Sequence, residues 1–510
     1  MGNHMFDAIR AAARQDARFV ESPDGPCWSY SDMLEASARI ARALEKLSVR
    51  PGDRVAVQAE KSPEVLMLYI ACLRAGAVYL PLNTAYTLAE LDYFISDAEP
   101  RLVIVSPAAR ETVSEVAGRY GAVVETLDVA GSGSLIDLAS GEPPDFTDAE
   151  CGPDDLATIL YTSGTTGRSK GAMLTHDNLL SNALTLRDCW RFTPDDRLIH
   201  ALPIFHTHGL FVASNVVLLS GASMIFLPKF DADAVLRLLP RASVLMGVPT
   251  FYVRLVQHRE LTRETAAHMR LFISGSAPLL AETHDMFKRL TGHAILERYG
   301  MTETNMNTSN PYDGERIADT VGFPLPGVEL RVTEPGTGTP LRDGETGMIE
   351  VRGPNVFKGY WRMPEKTQAE FRADGFFITG DLGKIDERGY VHIVGRDKDL
   401  IISGGYNVYP KEIETEIDRL DGVVESAVIG IPHPDFGEGV AAVVVREKGG
   451  TLEERMILQG LRDRLARYKQ PKAVVFVDEL PRNAMGKVQK NVLRERYGKM
   501  FEAAFAATSN

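Results

Sequence analysis

At 510 residues the chain exceeds one ordinary hydrophobic core, so two or more domains are expected. With 44% hydrophobic and 25% charged residues the composition is that of a soluble globular protein, and the formal net charge of −13 argues against broad adhesion to nucleic acid or membrane. No apolar run is long enough to span a bilayer, and Cys27, Cys72, Cys151 and Cys189 lack metal-ligand or disulfide-framework spacing, which suits a reducing cytoplasm.

The N-terminal stretch MGNHMFDAIRAAARQDARF has no apolar signal core and reads as a short amphipathic helix; Asp7 and Asp16 argue against a cleaved targeting peptide. From Asp53 onward strands and helices alternate. DRVAVQAE is a strand, Ser62-Pro63 supplies a hydroxyl cap and a proline at the first helical position, and Gly76 ends that helix before AVYLPL. The alternation recurs in LVIVS, in RLIHALP, in an apolar helix after Gly209 leading to SMIFLP, and in SVLMGVP and LFISG with the helices beside them. This predicts an α/β fold, with a large N-terminal domain of helix-covered mixed and parallel sheets.

Around Val328 the texture changes to short strands separated by Gly, Pro and Asp (VELRV, GMIEVRG, FFITGDLG, YVHIVGR), the pattern of a small antiparallel β subdomain. Beyond Arg396 the order is strand, helix, strand, strand, helix, strand, a compact α+β unit. These features place domains at 1–395 and 396–510, with the joint between them at 396–399.

The most informative stretch is LYTSGTTGRSKG, Leu160–Gly171. An apolar strand runs into a loop with four hydroxyls (Thr162, Ser163, Thr165, Thr166), two glycines (Gly164, Gly167) and Lys170. Freed amides, hydroxyls and a cation suit a polyphosphate, although the spacing is not GxxxxGK[ST] and a flexible surface loop would have the same composition.

Six further stretches follow it in order: PIFHTHG, GSAPL, ERYGMTET, TGD, GRDKDLIISGGYNVYPKEIE and PRNAMGKVQK. Together the seven resemble the adenylate-forming acyl-CoA synthetases, over nearly the whole chain. The resemblance implies two half-reactions at one site: a carboxylate attacks the α-phosphate of ATP to give an acyl-adenylate and pyrophosphate, and the thiol of coenzyme A then displaces AMP. It implies that the 162–167 loop with Lys170 holds the β- and γ-phosphates, and that Glu303 and Thr162 serve Mg²⁺. Gly275, Ser276, Ala277 and Tyr299 would flank adenine; Glu297, Arg298, Gly300, Met301 and Thr302 complete that side. Asp381 can accept from both ribose hydroxyls, with Arg396 beside it.

Lys487 is the catalytic residue the resemblance singles out, a cation bridging the acyl carboxylate and the α-phosphate, with His206 and Glu303 in supporting roles. Lys398 occupies the family's hinge position, and Gly404 and Gly405 line the path of coenzyme A after the C-terminal domain rotates. A protein lysine acetyltransferase acting on Lys487 is a family-level expectation.

For the acid, the residues themselves speak. Arg254 in GVPTFYVRL, aimed inward, would be too costly without a compensating anion, and a short dicarboxylate supplies one, with Ser276 and His206 as further polar groups. GMTETNMNTSNPYDGERIADTVGFPLPGV and PRNAMGKVQK resemble the malonyl-CoA synthetases, so malonate is the expected acid and methylmalonate the second, with Met306 limiting the C2 substituent. With Arg254 facing outward, the reading becomes a short-chain, medium-chain or aryl acyl-CoA synthetase. A peptide-synthetase subunit, a luciferase-type oxidoreductase and a non-catalytic AMP-binding protein are remoter alternatives. One departure stands out: Ser169 occupies the place where many relatives have proline.

Overall fold

A computed structural model describes residues 2–23, 25–162, 169–403, 406–433, 436–462, 464–483 and 486–501. It divides into two compact units, Met1–Leu330 with Val351–Phe377, and Arg331–Glu350 with Ile378–Asn510. The sequence boundary at 395 falls within the second unit, at the end of strand Val391–Arg396.

The first unit is built on two sheets. One is nine-stranded, in the order Phe323–Pro324, Asn305–Ser309, Leu296–Met301, Leu271–Ser274, Val244–Gly247, Arg197–His200, Ser223–Phe226, Arg18–Glu21 and Cys27–Ser29. Its middle is parallel, and the register sets Phe272, Leu245, Ile199 and Ile225 side by side on one face. All four are fully buried, beneath Tyr252 and Leu255 of helix Pro249–Val256 and Phe287 of helix Ala281–Thr291. Short apolar runs become central strands here because helices cover them.

The other sheet has seven strands, in the order Gly359–Tyr360, Lys170–Thr175, Leu156–Thr162, Val78–Pro81, Arg54–Gln58, Leu102–Val105 and Val123–Thr126. Helix Pro63–Ala75 joins two of them as the sequence suggests: the Ser62 hydroxyl accepts from Val65 N at 3.3 Å, and Gly76 closes it at φ +67. Leu156–Thr162 and Lys170–Thr175 form an antiparallel hairpin that pairs Thr162 with Lys170, so the Ser/Thr/Gly loop is the connection between two strand ends.

One expected element differs. The apolar helix after Gly209 begins as a π-helix, His208–Ser214, before turning regular in Asn215–Ser220. Gly209 packs so closely that a Cβ there would lie 2.0 Å from the Pro203 carbonyl. Its own carbonyl accepts from the Ser214 hydroxyl at 2.9 Å and lies 2.9 Å from His200 Nε2. A widened turn of this kind, common at functional sites, follows from side-chain bonds that periodicity does not register.

The second unit holds a four-stranded sheet, in the order Glu329–Thr333, Gly347–Arg352, Phe377–Ile385 and Val391–Arg396, and a five-stranded sheet built on the long antiparallel pair Val423–His433 and Gly437–Arg446. Helices Pro410–Asp418 and Glu454–Leu461 bury Ile413, Ile417, Ile457 and Leu461 against Val428, Val440 and Val444. Strand Tyr406–Val408, absent from the sequence reading, pairs with Ile401–Ser403. Among the described residues no helix is long and apolar enough to cross a membrane.

Candidate active site

In the first unit the hairpin delivers Lys170 to a cluster of groups from distant parts of the chain. Its Nζ lies 3.2 Å from Glu370 Oε1 and 4.1 Å from the centre of the Tyr360 ring. The Tyr360 hydroxyl lies 3.0 Å from Glu303 Oε1 and 2.6 Å from Glu370 Oε2. Lys366, one helical turn before Glu370, pairs with it at 2.7 Å. Burial alone would lift the Glu370 carboxyl, but the bonds from Lys366 and Tyr360 and the charge of Lys170 outweigh it and hold the group below its ordinary value. Burial likewise drives the Tyr360 phenol far above its usual range, so it stays a donor. Thr162 closes the strand beside them, its hydroxyl 3.5 Å from the Lys170 carbonyl.

Glu303 sits in the turn between strands Leu296–Met301 and Asn305–Ser309, and it is buried. That hairpin is tight. A Cβ on Gly300 would lie 1.9 Å from the Asn305 carbonyl and 2.6 Å from Met306 Cε, so the buried Met306 side chain packs directly over Gly300. Asn182 fixes Met306 from both sides, accepting from its N–H at 3.2 Å and donating to its carbonyl at 2.9 Å.

Two residues earlier on the same strand, Arg298 is 3% exposed, and its Nε and Nη2 find no hydrogen-bond partner among the described residues. Its guanidinium lies against Gly275, where a Cβ would come 2.4 Å from Cζ. Burial lowers the Arg298 pKa to about 9, with no carboxylate among the causes. Ser276 follows Gly275 at φ +74, an uncommon angle for a serine, and its hydroxyl lies 3.3 Å from Nδ1 of His208. His208 is itself buried, with Nε2 unpartnered among the described residues. Burial, then the nearby Arg298 charge and the neighbouring histidines, keep its imidazole neutral well below its ordinary pKa. His206 is half-buried, and its Nδ1 accepts from the His208 N–H at 3.4 Å. A buried cation, a neutral imidazole and a hydroxyl thus converge, the donor set for an anion in a desolvated site.

In the second unit Asp381 is buried and pairs with Arg396 Nε at 2.6 Å across neighbouring strands, where the two residues stand in register. The Asp381 N–H donates to Thr379 Oγ1 at 3.0 Å. Lys398 lies in the tight turn Asp397–Asp399, and burial lowers its pKa. Lys487 is exposed, and its backbone is clamped by Asn483, which accepts from the Lys487 N–H through Oδ1 and donates to the Lys487 carbonyl, both at 3.0 Å. Arg482 Nη1 donates to the carbonyl of Gly486, itself at φ +74, at 2.6 Å.

The first unit therefore brings together Lys170 and Glu303, and separately Arg298, Gly275, Ser276 and His208. Ser163, Gly164, Thr165, Thr166 and Gly167, and the coenzyme A candidates Gly404 and Gly405, lie outside the described residues. Ala277, Tyr299, Met301 and Thr302 are half-buried, and Glu297 is buried. Arg254, expected to face inward, is exposed: Tyr252 and Leu255 occupy the buried face of its helix. The sequence reading had no signal for Tyr360 and Glu370, which lie 57 and 200 residues from Glu303 and Lys170 respectively. For Arg298 a signal existed: a cation within a strand next to apolar residues, Ile295 and Leu296, that are buried.

Comparison with known proteins identifies the family. Residues 8–361 match the family model of the AMP-binding enzyme, and residues 412–487 match that of the AMP-binding enzyme C-terminal domain. The structure resembles crystalline ATP-bound MatB from Rhodopseudomonas palustris, with TM-score 0.97 and 64% identity, covering 98% of this chain and 100% of that one. A feruloyl-CoA synthase from Amycolatopsis sp is 39% identical, covering 93% of this chain and 95% of its own. A malonate–CoA ligase from Arabidopsis thaliana is 33% identical, covering 96% and 88%. The chain belongs to the AMP-binding enzymes, among the acyl-CoA ligases of the adenylate-forming superfamily.

Proposed function

We propose that the chain is an AMP-forming malonate–CoA ligase. Malonate attacks the α-phosphate of ATP to give malonyl-adenylate and pyrophosphate, and coenzyme A then displaces AMP to give malonyl-CoA. The observation that carries the choice of acid is Arg298, a buried cation whose Nε and Nη2 find no partner among the described residues, beside Ser276 and His208. A monocarboxylate would leave that charge uncompensated in a desolvated site. Malonate presents one carboxylate for reaction and a second for Arg298. Ser276 and His208, 3.3 Å apart, would orient the distal group, and Met306, packed over Gly300, would bound the space for a C2 substituent, so methylmalonate is the expected second substrate.

In this reading Lys170 and the 162–167 loop hold the β- and γ-phosphates, Tyr299 and Gly275 flank adenine, and Asp381 with Arg396 holds the ribose. Glu303 and Thr162 would hold Mg²⁺. Among the described residues no three His, Cys, Asp or Glu side chains converge on an ion, and a single carboxylate completed by substrate phosphates suits a cation that keeps most of its water. The ion supplies charge neutralisation on the phosphates. Lys487 offsets the charge of the attacking carboxylate and the α-phosphate, and Lys398 is the hinge about which the C-terminal residues turn between half-reactions, bringing Gly404 and Gly405 to the thiol. The setting is the cytoplasm, where a protein lysine acetyltransferase would find Lys487 exposed.

The test is coenzyme A-dependent AMP release over malonate, methylmalonate, succinate, acetate, butyrate, benzoate and ferulate. Malonate should give the highest kcat/KM. A monocarboxylate that exceeds it would overturn the reading.

A further inference from the structure

Neither Tyr360 nor Glu370 belongs to a stretch that carries the nucleotide chemistry, yet both touch it. Strand Gly359–Tyr360 pairs antiparallel with the strand that opens at Lys170, and Trp361 N donates to the Gly171 carbonyl at 2.7 Å. This pairing slides the Tyr360 ring beneath Lys170 Nζ, 4.1 Å away. The chain then forms helix Pro364–Ala369, anchored where Tyr360 N donates to Thr367 Oγ1 at 2.9 Å, and returns Glu370 to the same ammonium. At the other end, Phe357 N donates to the Glu303 carbonyl at 2.8 Å. One segment, 357–370, therefore grips both Lys170 and Glu303.

Two consequences follow from elementary chemistry. An ammonium paired with Glu370 must give up that partner to engage a phosphate, so Glu370 competes with the nucleotide for Lys170. A phenol has one proton, and with both carboxylates ionised it donates to one of them at a time. When Lys170 leaves, Glu370 keeps Lys366 at 2.7 Å and so is not stranded as an unpaired buried charge.

Resting on the reading of Lys170 and Glu303 as the phosphate and metal residues, we propose that Glu370 and Tyr360 are positioning residues of the polyphosphate end. Glu370 parks Lys170 over the Tyr360 ring until a triphosphate displaces it. The Tyr360 hydroxyl restrains the Glu303 carboxylate that meets the metal. Neither residue acts on the acyl group or on the thiol.

The test uses the full-length protein and separates binding from each half-reaction. Calorimetric titration with ATP and Mg²⁺ in excess should show Glu370→Gln binding about three- to tenfold tighter than the parent, whereas a residue that merely supported the fold would weaken binding when altered. Tyr360→Phe should raise the Mg²⁺ concentration for half-maximal adenylate formation about tenfold, while thioester formation from supplied malonyl-adenylate stays within twofold. Weaker or unchanged nucleotide binding in Glu370→Gln overturns the parking role. Equal loss of both half-reactions in Tyr360→Phe, or an unchanged Mg²⁺ dependence, overturns the restraint. Lys170→Ala and Glu303→Gln run alongside: if neither changes nucleotide binding or Mg²⁺ dependence, it is the underlying assignment of those two residues that fails.

Discussion

The substitution Arg298→Met puts the choice of acid to a quantitative test. Methionine keeps most of the volume against Gly275 and removes the charge. Burial lowers the arginine from 12.5 to about 9, which at 1.36 kcal/mol per pKa unit is on the order of 5 kcal/mol of desolvation. The group remains charged at neutral pH, and a bound carboxylate recovers part of that cost. Breaking one side of a buried charge pair costs about 3–5 kcal/mol. At 1.36 kcal/mol per tenfold, kcat/KM for malonate should fall about a hundredfold to a few thousandfold. The same change should lift propionate and butyrate, whose tails no longer face a buried cation, so the order of substrates inverts. The KM for ATP should stay within about threefold, and the unfolding midpoint should rise or hold, because a buried charge with no carboxylate partner among the described residues has been removed. The assay is pyrophosphate release over malonate, methylmalonate, propionate and butyrate, with ATP varied separately. Retention of malonate kcat/KM within threefold would refute the argument. So would a loss confined to ATP, which would place Arg298 on the nucleotide.

Lys487→Ala should slow malonyl-adenylate formation by about two to three orders of magnitude, as loss of a preorganised charge does, and spare thioester formation from supplied adenylate; rapid-quench measurement of each half-reaction decides this. Arg254→Ala should change the malonate KM by no more than about fivefold, since a solvent-screened pair contributes roughly 0–1 kcal/mol; a larger rise in steady-state KM would return Arg254 to the site. Burial raises the carboxyl of Asp418 to about 7, although Ser426 donates to it at 2.7 Å. The folded state therefore holds this proton after the unfolded chain has released it, and the stability it contributes is full below about pH 4 and gone once pH passes about 7. Asp418→Asn should raise the unfolding midpoint above pH 7, by about 2–4 °C per kcal/mol of relieved penalty, and lose the advantage as pH falls to about 4; scanning calorimetry across that range checks the sign.

Local chemistry settled much of this protein before folding is considered. Ser62, Pro63 and Gly76 mark a helix because a hydroxyl cap, a proline without an N–H and a residue at positive φ each act within a few residues of the helix end they mark. Short apolar runs between turn residues mark buried strands for the same reason. The order of seven motifs placed the chain among adenylate-forming enzymes through its resemblance to them. What only tertiary structure decided is the direction in which charges face. Arg254 and Arg298 are both arginines in apolar stretches, and no periodicity tells which guanidinium is sealed from water. The helix 249–256 leaves Arg254 exposed, while Arg298 lies on the buried half of strand Leu296–Met301. Tyr360 and Glu370 meet Lys170 only because a two-residue strand pairs at the sheet edge, a contact between segments some 200 residues apart. Burial and long-range pairing belong to the whole fold, and no single stretch of sequence carries them.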